Sequence, residues 1–410
     1  MKQFNIPNIY RSSLISAIKN KRRMEDKSKK DFSPTLLDFG DIQLYLARHF
    51  GFCYGVENAI EIAFNIIYEN PNKQIYFLSE MIHNPQVNAD LAMRGVKFLQ
   101  DTYGNQLVPF DEITKNDIVV IPAFGTTLEI ENLLKKKGIP TEKYNTTCPF
   151  VEKVWNRSEQ IARKGYSIVV HGKPRHEETR ATFSHASALT PTIIINDINE
   201  AKELAKYIRK EKPADEFYKT FKGKYSKNFS VEKDLQRIGV VNQTTQLASE
   251  TQAISDFLKN IIKDYYHLDE QTIGKHFADT RDTLCYATND NQSAVNGILS
   301  IDGDIAIVVG GYNSSNTSHL VELCNNKLPT FFIDNADRIL SNQKIETCNW
   351  RTKQINIVEN FLPPKLPVKI LLTSGASCPD AVVEDVIKKI LLLYNSAEKF
   401  ETILKTCDNS

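Results

Sequence analysis

The sequence predicts an α/β protein with mainly parallel sheets, built as three similar rounds of strands and helices. Three observations predict it. From residue 42 onward, short apolar runs alternate with stretches of helical periodicity. Polar clusters rich in Gly, Ser, Thr, Asn and His follow the apolar runs, where open α/β sheets place their ligand sites. Three isolated cysteines, Cys53, Cys148 and Cys285, each introduce one round. The expected organisation is a basic extension over 1–41, α/β domains over 42–147, 148–282 and 283–395, and a tail over 396–410.

In the first round, residues 42–47 read as a strand that delivers the chain to Gly51-Phe52-Cys53-Tyr54-Gly55, and 56–68 as an amphipathic helix. Residues 74–78 are a strand ending at a loop with His83, 87–94 a helix, and 117–123 a buried strand ending at Phe124-Gly125-Thr126-Thr127. A helix over 128–137 stops at Gly138 and Pro140.

The second round places a short strand before Thr146-Thr147-Cys148, a helix over 151–164 and a strand over 167–171. That strand runs into a loop carrying His176 and Glu178. A strand over 192–195 and a helix over 198–207 precede an insertion, about 209–233, rich in Lys and aromatics and read as a surface helix or hairpin. A strand over 238–241 leads to Asn242-Gln243-Thr244-Thr245 and a further helix.

In the third round, a helix over 289–298 and a strand over 305–309 lead to Gly310-Gly311-Tyr312-Asn313-Ser314-Ser315-Asn316. The next helix carries Cys324, strands follow over 330–333 and 370–372, and a helix over 382–393 closes the round.

Composition excludes several classes. A chain of 410 residues with 41% apolar and 25% charged residues suits a soluble globular protein of two or three domains. A net charge of +1 supplies no global field for nucleic acid. No apolar run approaches the roughly 20 residues that span a bilayer. Seven cysteines, an odd number without CxxC pairs, fit a reducing, cytoplasmic setting rather than a disulfide framework or a zinc finger. The first 40 residues hold nine Lys/Arg and four Asp/Glu without an apolar core, so no secretory signal is expected. They read as a solvated extension; a transit peptide to a plastid-type organelle is the other reading.

The post-strand loops carry the chemistry. Neither GxGxxG after the first strand nor GxxxxGK[ST] occurs, so dinucleotide or nucleoside-triphosphate binding is not signalled. The stretch from Gly310 to Asn316 has the features of an anion site: glycines that permit close backbone approach, hydroxyl and amide donors, and a helix start behind them. The same residue types also serve as N-cap turns. Thr373-Ser374-Gly375-Ala376-Ser377 is a weaker version of this signal. His83 and His176 can neutralise a phosphate, and Glu178 can deliver a proton. A single free cysteine is commonly a small buried hydrophobe, so the three thiols gain meaning only from the loops around them.

Taken together, nine ordered segments resemble the 4-hydroxy-3-methylbut-2-enyl diphosphate reductase family: GFCYGV, EMIHNP, PAFGTT, TTCPFVEKVW, HGKPRHEET, NQTTQL, LCYAT, GGYNSSNTSHL and TSGASCPD. They span residues 42–389 and are most similar to the longer plant and cyanobacterial branch. The resemblance implies three α/β domains in a pseudo-threefold cloverleaf around a central 4Fe–4S cluster. Cys53, Cys148 and Cys285 match the family's three cluster ligands, which leaves one iron open to the substrate hydroxyl. The implied reaction is reductive dehydroxylation of (E)-4-hydroxy-3-methylbut-2-enyl diphosphate to isopentenyl and dimethylallyl diphosphate, the last step of the methylerythritol phosphate route. The implied electron source is an external donor such as ferredoxin or flavodoxin. Glu178 matches the proton-delivering glutamate, with His176 beside it, and Thr244 the threonine that hydrogen-bonds the substrate hydroxyl. His83, His176, Ser314, Ser315, Asn316 and Ser377 match the groups that hold the diphosphate. One departure is Phe124, which stands where many bacterial members have a third diphosphate-contacting histidine. The remaining cysteines, Cys324, Cys348, Cys378 and Cys407, are expected to be inert. Alternatives are a cluster-dependent dehydratase, which needs no net electrons, and a non-catalytic phosphate-binding protein.

Overall fold

The strand Ile42–Leu46 shows how the sheets form: Ile42, Leu44 and Leu46 are buried while Gln43 and Tyr45 between them are half-buried. It pairs in parallel with Val368–Ser374, which pairs in parallel with Ile305–Val309, and Thr330–Ile333 completes the row. A strand the sequence did not announce, Thr35–Asp38, adds an antiparallel edge and makes a five-stranded sheet. The strand that opens the first round in chain order therefore lies in the sheet of the last round. Two further sheets are wholly parallel and three-stranded, with orders Lys97–Phe98, Ile75–Phe77, Ile118–Val120 and Thr192–Ile195, Ser167–His171, Ile238–Asn242. The architecture is the α/β class that the alternation predicts, with mainly parallel sheets.

This computed structural model describes residues 4–28, 30–278 and 283–400. The chain divides into two units: Met1–Glu61, Ile82–Asp90 and Tyr286–Ser410 form one, and Ile62–Met81 and Leu91–Cys285 the other. The core of the first is the five-stranded sheet with the helix Asp380–Leu393, where Val383, Val386 and Ile387 are fully buried. In the second, Val169, Ile193, Ile238 and Val240 are covered by Leu204, Ile254 and Leu258 from the helices Ile198–Ile208 and Ala248–Tyr265.

Two expectations are corrected. The N-terminal extension is not solvated over its length. Ser13–Glu25 is a helix whose Leu14, Ile15 and Ile18 are buried in the core of its unit. Ser12 caps it by accepting from the Ile15 N–H at 2.9 Å and donates to Glu384, and Lys19 pairs with Asp380 at 2.7 Å. The insertion forms the surface helix expected of it, with one face turned inward. Its helix Ala214–Thr220 and the turn Val231–Asp234 bury Phe217, Phe221, Phe229 and Val231 against the Thr192–Ile195 sheet. The Phe217 ring stacks on Phe229 with centroids 5.3 Å apart. Lysines on this segment stay outside while the aromatics turn inward, so composition alone hid the amphipathic pattern. Finally, no strand precedes Thr146: Glu142–Tyr144 is a single 3₁₀ turn, and Asn145 makes only an isolated bridge with Ile121.

Candidate functional site

Each unit carries its own set of candidate residues, in or just after loops that leave the carboxyl ends of parallel strands. In the first unit, Ile305–Val309 runs into the glycine-containing turn before the helix Ser315–Asn325. Ser314 is that helix's N-cap; its Oγ accepts from the Thr317 N–H at 3.2 Å and from the Thr317 hydroxyl at 3.0 Å. The N-cap reading of this stretch therefore holds for Ser314. Ser315 and Asn316 are buried, at 3% and 4% exposure, yet Ser315 Oγ and Asn316 Nδ2 have no hydrogen-bond partner within the protein. Buried polar groups in folded proteins are almost always paired, so two orphan donors at a helix N-terminus mark a place for an anionic ligand.

Hydrogen bonds draw the other predicted residues of this unit to the same place. Asn316 Oδ1 accepts from the Ala376 N–H at 2.9 Å, and Ser377 Oγ donates to the His83 carbonyl at 3.1 Å. The backbone N–H of Cys53 donates to the Ala376 carbonyl at 3.1 Å. His83, Ser314, Ser315, Asn316, Ser377 and Cys53 thus belong to one knot of loops. Two glycines make the knot possible. A Cβ on Gly311 would stand 2.2 Å from the His83 carbonyl oxygen, and one on Gly375 would stand 1.9 Å from Thr317 Oγ1.

The second unit assembles Cys148, His176, Glu178, Thr244 and Cys285. Cys148 is the residue before the helix Pro149–Arg163, with proline at the first helical position, and its N–H donates to the Ala123 carbonyl at 2.9 Å. Burial, with the Cys285 and Glu178 groups adding to it against the helix-start N–H groups of Phe150 and Val151, pushes the Cys148 thiol up to about 11. His176 caps the helix Glu177–Ser187: its Nδ1 accepts from the Glu178 N–H at 3.2 Å, which leaves the proton of the neutral ring on Nε2. Glu178 is 1% exposed, and its carboxylate accepts from the Thr244 N–H at 2.5 Å and the Thr244 hydroxyl at 2.9 Å. The Cys285 N–H in turn donates to the Thr244 carbonyl at 3.2 Å. A carboxyl, a hydroxyl and a thiol-bearing residue are therefore linked directly.

Phe124 meets the His176 ring edge-on, at 5.8 Å and 86°. A phenyl ring thus abuts an imidazole there and supplies packing in place of a donor. The nearby Thr126 spends its carbonyl on His185 Nε2 at 3.2 Å, and His185 stacks on Trp155 at 3.8 Å. Sequence reasoning passed over several residues. Gln243, fully buried, accepts from Thr179 Oγ1 at 3.0 Å and from the Lys173 N–H at 3.2 Å, which ties the Glu178 helix to the Thr244 loop. Asn291 approaches Asn316 at 3.5 Å, and the Tyr286 hydroxyl accepts from the Tyr54 N–H at 2.9 Å. Gln243 and Tyr286 were legible only as neighbours of Thr244 and Cys285.

Cys53, Cys148 and Cys285 are all half-buried, free of disulfides and set at turns before helices, whereas Cys324, Cys348 and Cys378 are buried. Burial drives the thiols of Cys324 and Cys378 up, that of Cys324 to about 12. Cys378 lies wholly inside the core of its unit, as an inert thiol should, and Cys407 lies outside the described residues. Among the described residues no group of three or more His, Cys, Asp or Glu side chains could hold a single metal ion. Half-buried thiols are soft donors of the kind that ligate iron–sulfur clusters. Among the described residues no helix is long and apolar enough to cross a membrane.

Fold and loops together define an α/β protein with two orphan donors at a helix start in one unit and a carboxyl–hydroxyl pair beside two half-buried thiols in the other. The chain belongs to the LytB protein family, whose model matches residues 44–391. A relative from Trichodesmium erythraeum, 4-hydroxy-3-methylbut-2-enyl diphosphate reductase, is 38% identical over 87% of this chain and 86% of its own length. The protein of the same name from Prochlorococcus marinus is 36% identical over 93% of this chain and 90% of its own. Among solved structures, the E-1-hydroxy-2-methyl-but-2-enyl-4-diphosphate reductase from Plasmodium falciparum is similar, with a TM-score of 0.60, 25% identity, and coverage of 85% of this chain and 87% of that one. A structure of (E)-4-hydroxy-3-methyl-but-2-enyl diphosphate reductase, the terminal enzyme of the non-mevalonate pathway, has a TM-score of 0.50 at 25% identity and covers 85% of this chain and 98% of that one.

Proposed function

We propose that the protein is a 4-hydroxy-3-methylbut-2-enyl diphosphate reductase that converts its allylic diphosphate to isopentenyl and dimethylallyl diphosphate. Family membership and relatives of that name over most of the chain support the reaction. The observation that carries the site assignment is the direct chain from Glu178 through Thr244 to Cys285, a proton donor tied to the backbone of a thiol ligand. Cys53, Cys148 and Cys285 are the residues that would hold a 4Fe–4S cluster. When bound, such a cluster supplies electrons one at a time and an iron corner without a protein ligand.

The rest is work for the protein's own side chains. Ser314, Ser315, Asn316, Ser377, His83 and His176 hold the diphosphate, with the orphan donors of Ser315 and Asn316 finding their acceptors there. Thr244 orients the substrate hydroxyl, and Glu178 holds Thr244 in register through its two bonds. Two electrons and two protons balance the reaction: one proton leaves with the hydroxyl as water and one ends on the allylic carbon skeleton. Glu178, 1% exposed, is shielded from bulk water and can pass a proton through Thr244 or to bound substrate. Phe124 beside His176 keeps the approach dry, which strengthens each charge-assisted bond.

The test is anaerobic purification and reconstitution, followed by iron and acid-labile sulfide counting and assay with dithionite-reduced methyl viologen. Iron-dependent, reductant-dependent formation of both products is expected. Turnover without reductant would instead indicate a dehydratase. A protein that takes up neither iron nor sulfide would be the non-catalytic binder.

A further inference from the structure

Residues between Phe4 and Arg22 meet the stretch that carries Cys53 at four alternate positions, in reverse chain order. The Arg48 guanidinium donates to the Arg22 carbonyl at 3.2 Å. The Lys19 ammonium lies 4.8 Å from the centre of the Phe50 ring. Tyr10 meets Phe52 edge-on with ring centroids 6.0 Å apart, and Phe4 meets Tyr54 edge-on at 5.0 Å. Both side chains that flank Cys53 in the chain, Phe52 and Tyr54, are therefore packed against rings from the N-terminal segment.

That segment is itself fastened. The Tyr10 hydroxyl donates to Asp90 at 2.7 Å, the Asn5 N–H to Glu61 at 2.7 Å, and the Arg11 guanidinium to the Phe4 carbonyl at 2.8 Å. Leu14, Ile15 and Ile18 root the following helix in the core. At Gly51, where φ is +78°, a Cβ would collide with the Asp380 carboxylate and crowd Lys19 Nζ at 2.9 Å.

The other two thiols of the set are held by local means. Cys148 precedes a proline at the first helical position, and the Cys285 N–H is bonded to the Thr244 carbonyl. Cys53 instead stands between Gly51 and Gly55, and glycines add backbone freedom. Its N–H bond to the Ala376 carbonyl and the Tyr54 N–H bond to the Tyr286 hydroxyl fix the main chain. The flanking side chains are fixed by the N-terminal segment.

We propose, on the reductase reading above, that Phe4, Tyr10 and Lys19 are positioning residues for Cys53. The N-terminal segment is a clasp: it keeps the Cys53 loop from opening, so that this thiol stays in ligating position and a bound cluster is retained. Groups that hold a ligand residue in place govern metal retention nearly as strongly as the ligand does.

The test reads the thiol directly. Full-length protein before reconstitution is treated with iodoacetamide at one fixed pH, and the rate at each cysteine is followed by peptide mass spectrometry. Phe4→Ala and Tyr10→Ala should each raise the Cys53 rate about two- to tenfold, what one edge-on ring pair is worth. Lys19→Met should raise it about two- to fivefold. Rates at Cys148 and Cys285 should not change, and Tyr10→Phe, which keeps the ring, should restore the parent rate. After anaerobic reconstitution, the same variants should lose iron in air faster than the parent, by about tenfold or more for Tyr10→Ala. Cys324 and Cys378, buried in the core of the same unit, report its unfolding. Should Tyr10→Ala unfold the unit, Phe4→Ala and the partly exposed Lys19→Met decide the outcome. Parent-like Cys53 rates in those two variants would overturn the clasp, and so would rises that Cys148, Cys285, Cys324 and Cys378 share equally. A parent that takes up no iron would strike the reductase reading, and the alkylation rates would still decide whether the segment holds Cys53.

Discussion

Glu178 accepts two hydrogen bonds from one residue, Thr244: its backbone N–H at 2.5 Å and its hydroxyl at 2.9 Å. The carboxylate is anchored by both of its oxygens, and neither bond depends on a mobile cation. Such a pair holds an acid at a fixed place while leaving the hydroxyl able to exchange a proton with a third group.

Glu178→Gln therefore separates geometry from proton supply. The amide oxygen keeps the bond from the Thr244 N–H, and the amide nitrogen donates to the Thr244 hydroxyl in reverse. Turnover should fall about 100-fold or more, the typical worth of a positioned general acid, with iron content and circular dichroism unchanged. Activity equal to the parent would remove Glu178 from the mechanism.

Cys148→Ser acts on the other half of the site. Its backbone bond to Ala123 and its place before Pro149 do not need sulfur, so the helix should form as before. A hydroxyl is a far poorer cluster ligand than a thiolate. Reconstituted protein should contain less iron and sulfide than the parent and lose them faster in air, with the thermal transition of the metal-free protein unchanged. Full and stable iron loading would count against Cys148 as a ligand.

Phe217→Ala tests the insertion. The Phe217 ring is fully buried and meets Tyr207, Phe221, Tyr225 and Phe229. Its removal should cost about 3–5 kcal/mol, the usual range for emptying a buried aromatic site, read as a lower denaturation midpoint. Activity per folded molecule should stay the same. A loss under about 1 kcal/mol would show that Phe217 does not anchor the insertion.

His185 gives a pH dependence. Burial lowers its pKa, and this outweighs the Thr126 carbonyl and the Glu129 carboxylate, which act the other way. Glu131, 3.8 Å away, faces the same ring, and burial raises its own pKa. Because the folded value lies below the ordinary value of about 6.5, the unfolded chain binds more protons as pH falls. The stabilising contribution is complete above about pH 6.5 and is lost as pH drops through the folded value. His185→Phe keeps a ring on Trp155 and removes the titration. Its thermal midpoint should fall less than that of the parent between pH 7 and about 5.5. Parallel curves would refute the assignment.

Much of the fold was readable because it depends on local pattern. The parallel strands and their following helices fall within a few residues of the apolar runs and helical periods. The sequence placed the chemistry-bearing residues in loops after strands, and His83, His176, Thr244, Ser314 and Ser377 lie there, while Glu178, Ser315 and Asn316 fall in the first turn of the helices that follow. The insertion forms an exposed helix, as its composition suggests, but which phenylalanines turn inward needs the sheet they cover. The N-terminal helix was misread because its charge suggested solvent, while its few apolar residues, Leu14, Ile15 and Ile18, find their partners at the far end of the chain.

By itself, then, the sequence determined the α/β class, the order of the loops and the chemical types they carry, since periodicity and motif are properties of neighbouring residues. Only the tertiary structure decided which of those loops are bonded together. The register of Ile42–Leu46 against Val368–Ser374, the link from Ser377 to His83, and the two hydrogen bonds from Thr244 to Glu178 all join residues far apart in the chain. Such contacts follow from packing the whole sheet and closing long loops, and no local pattern encodes them.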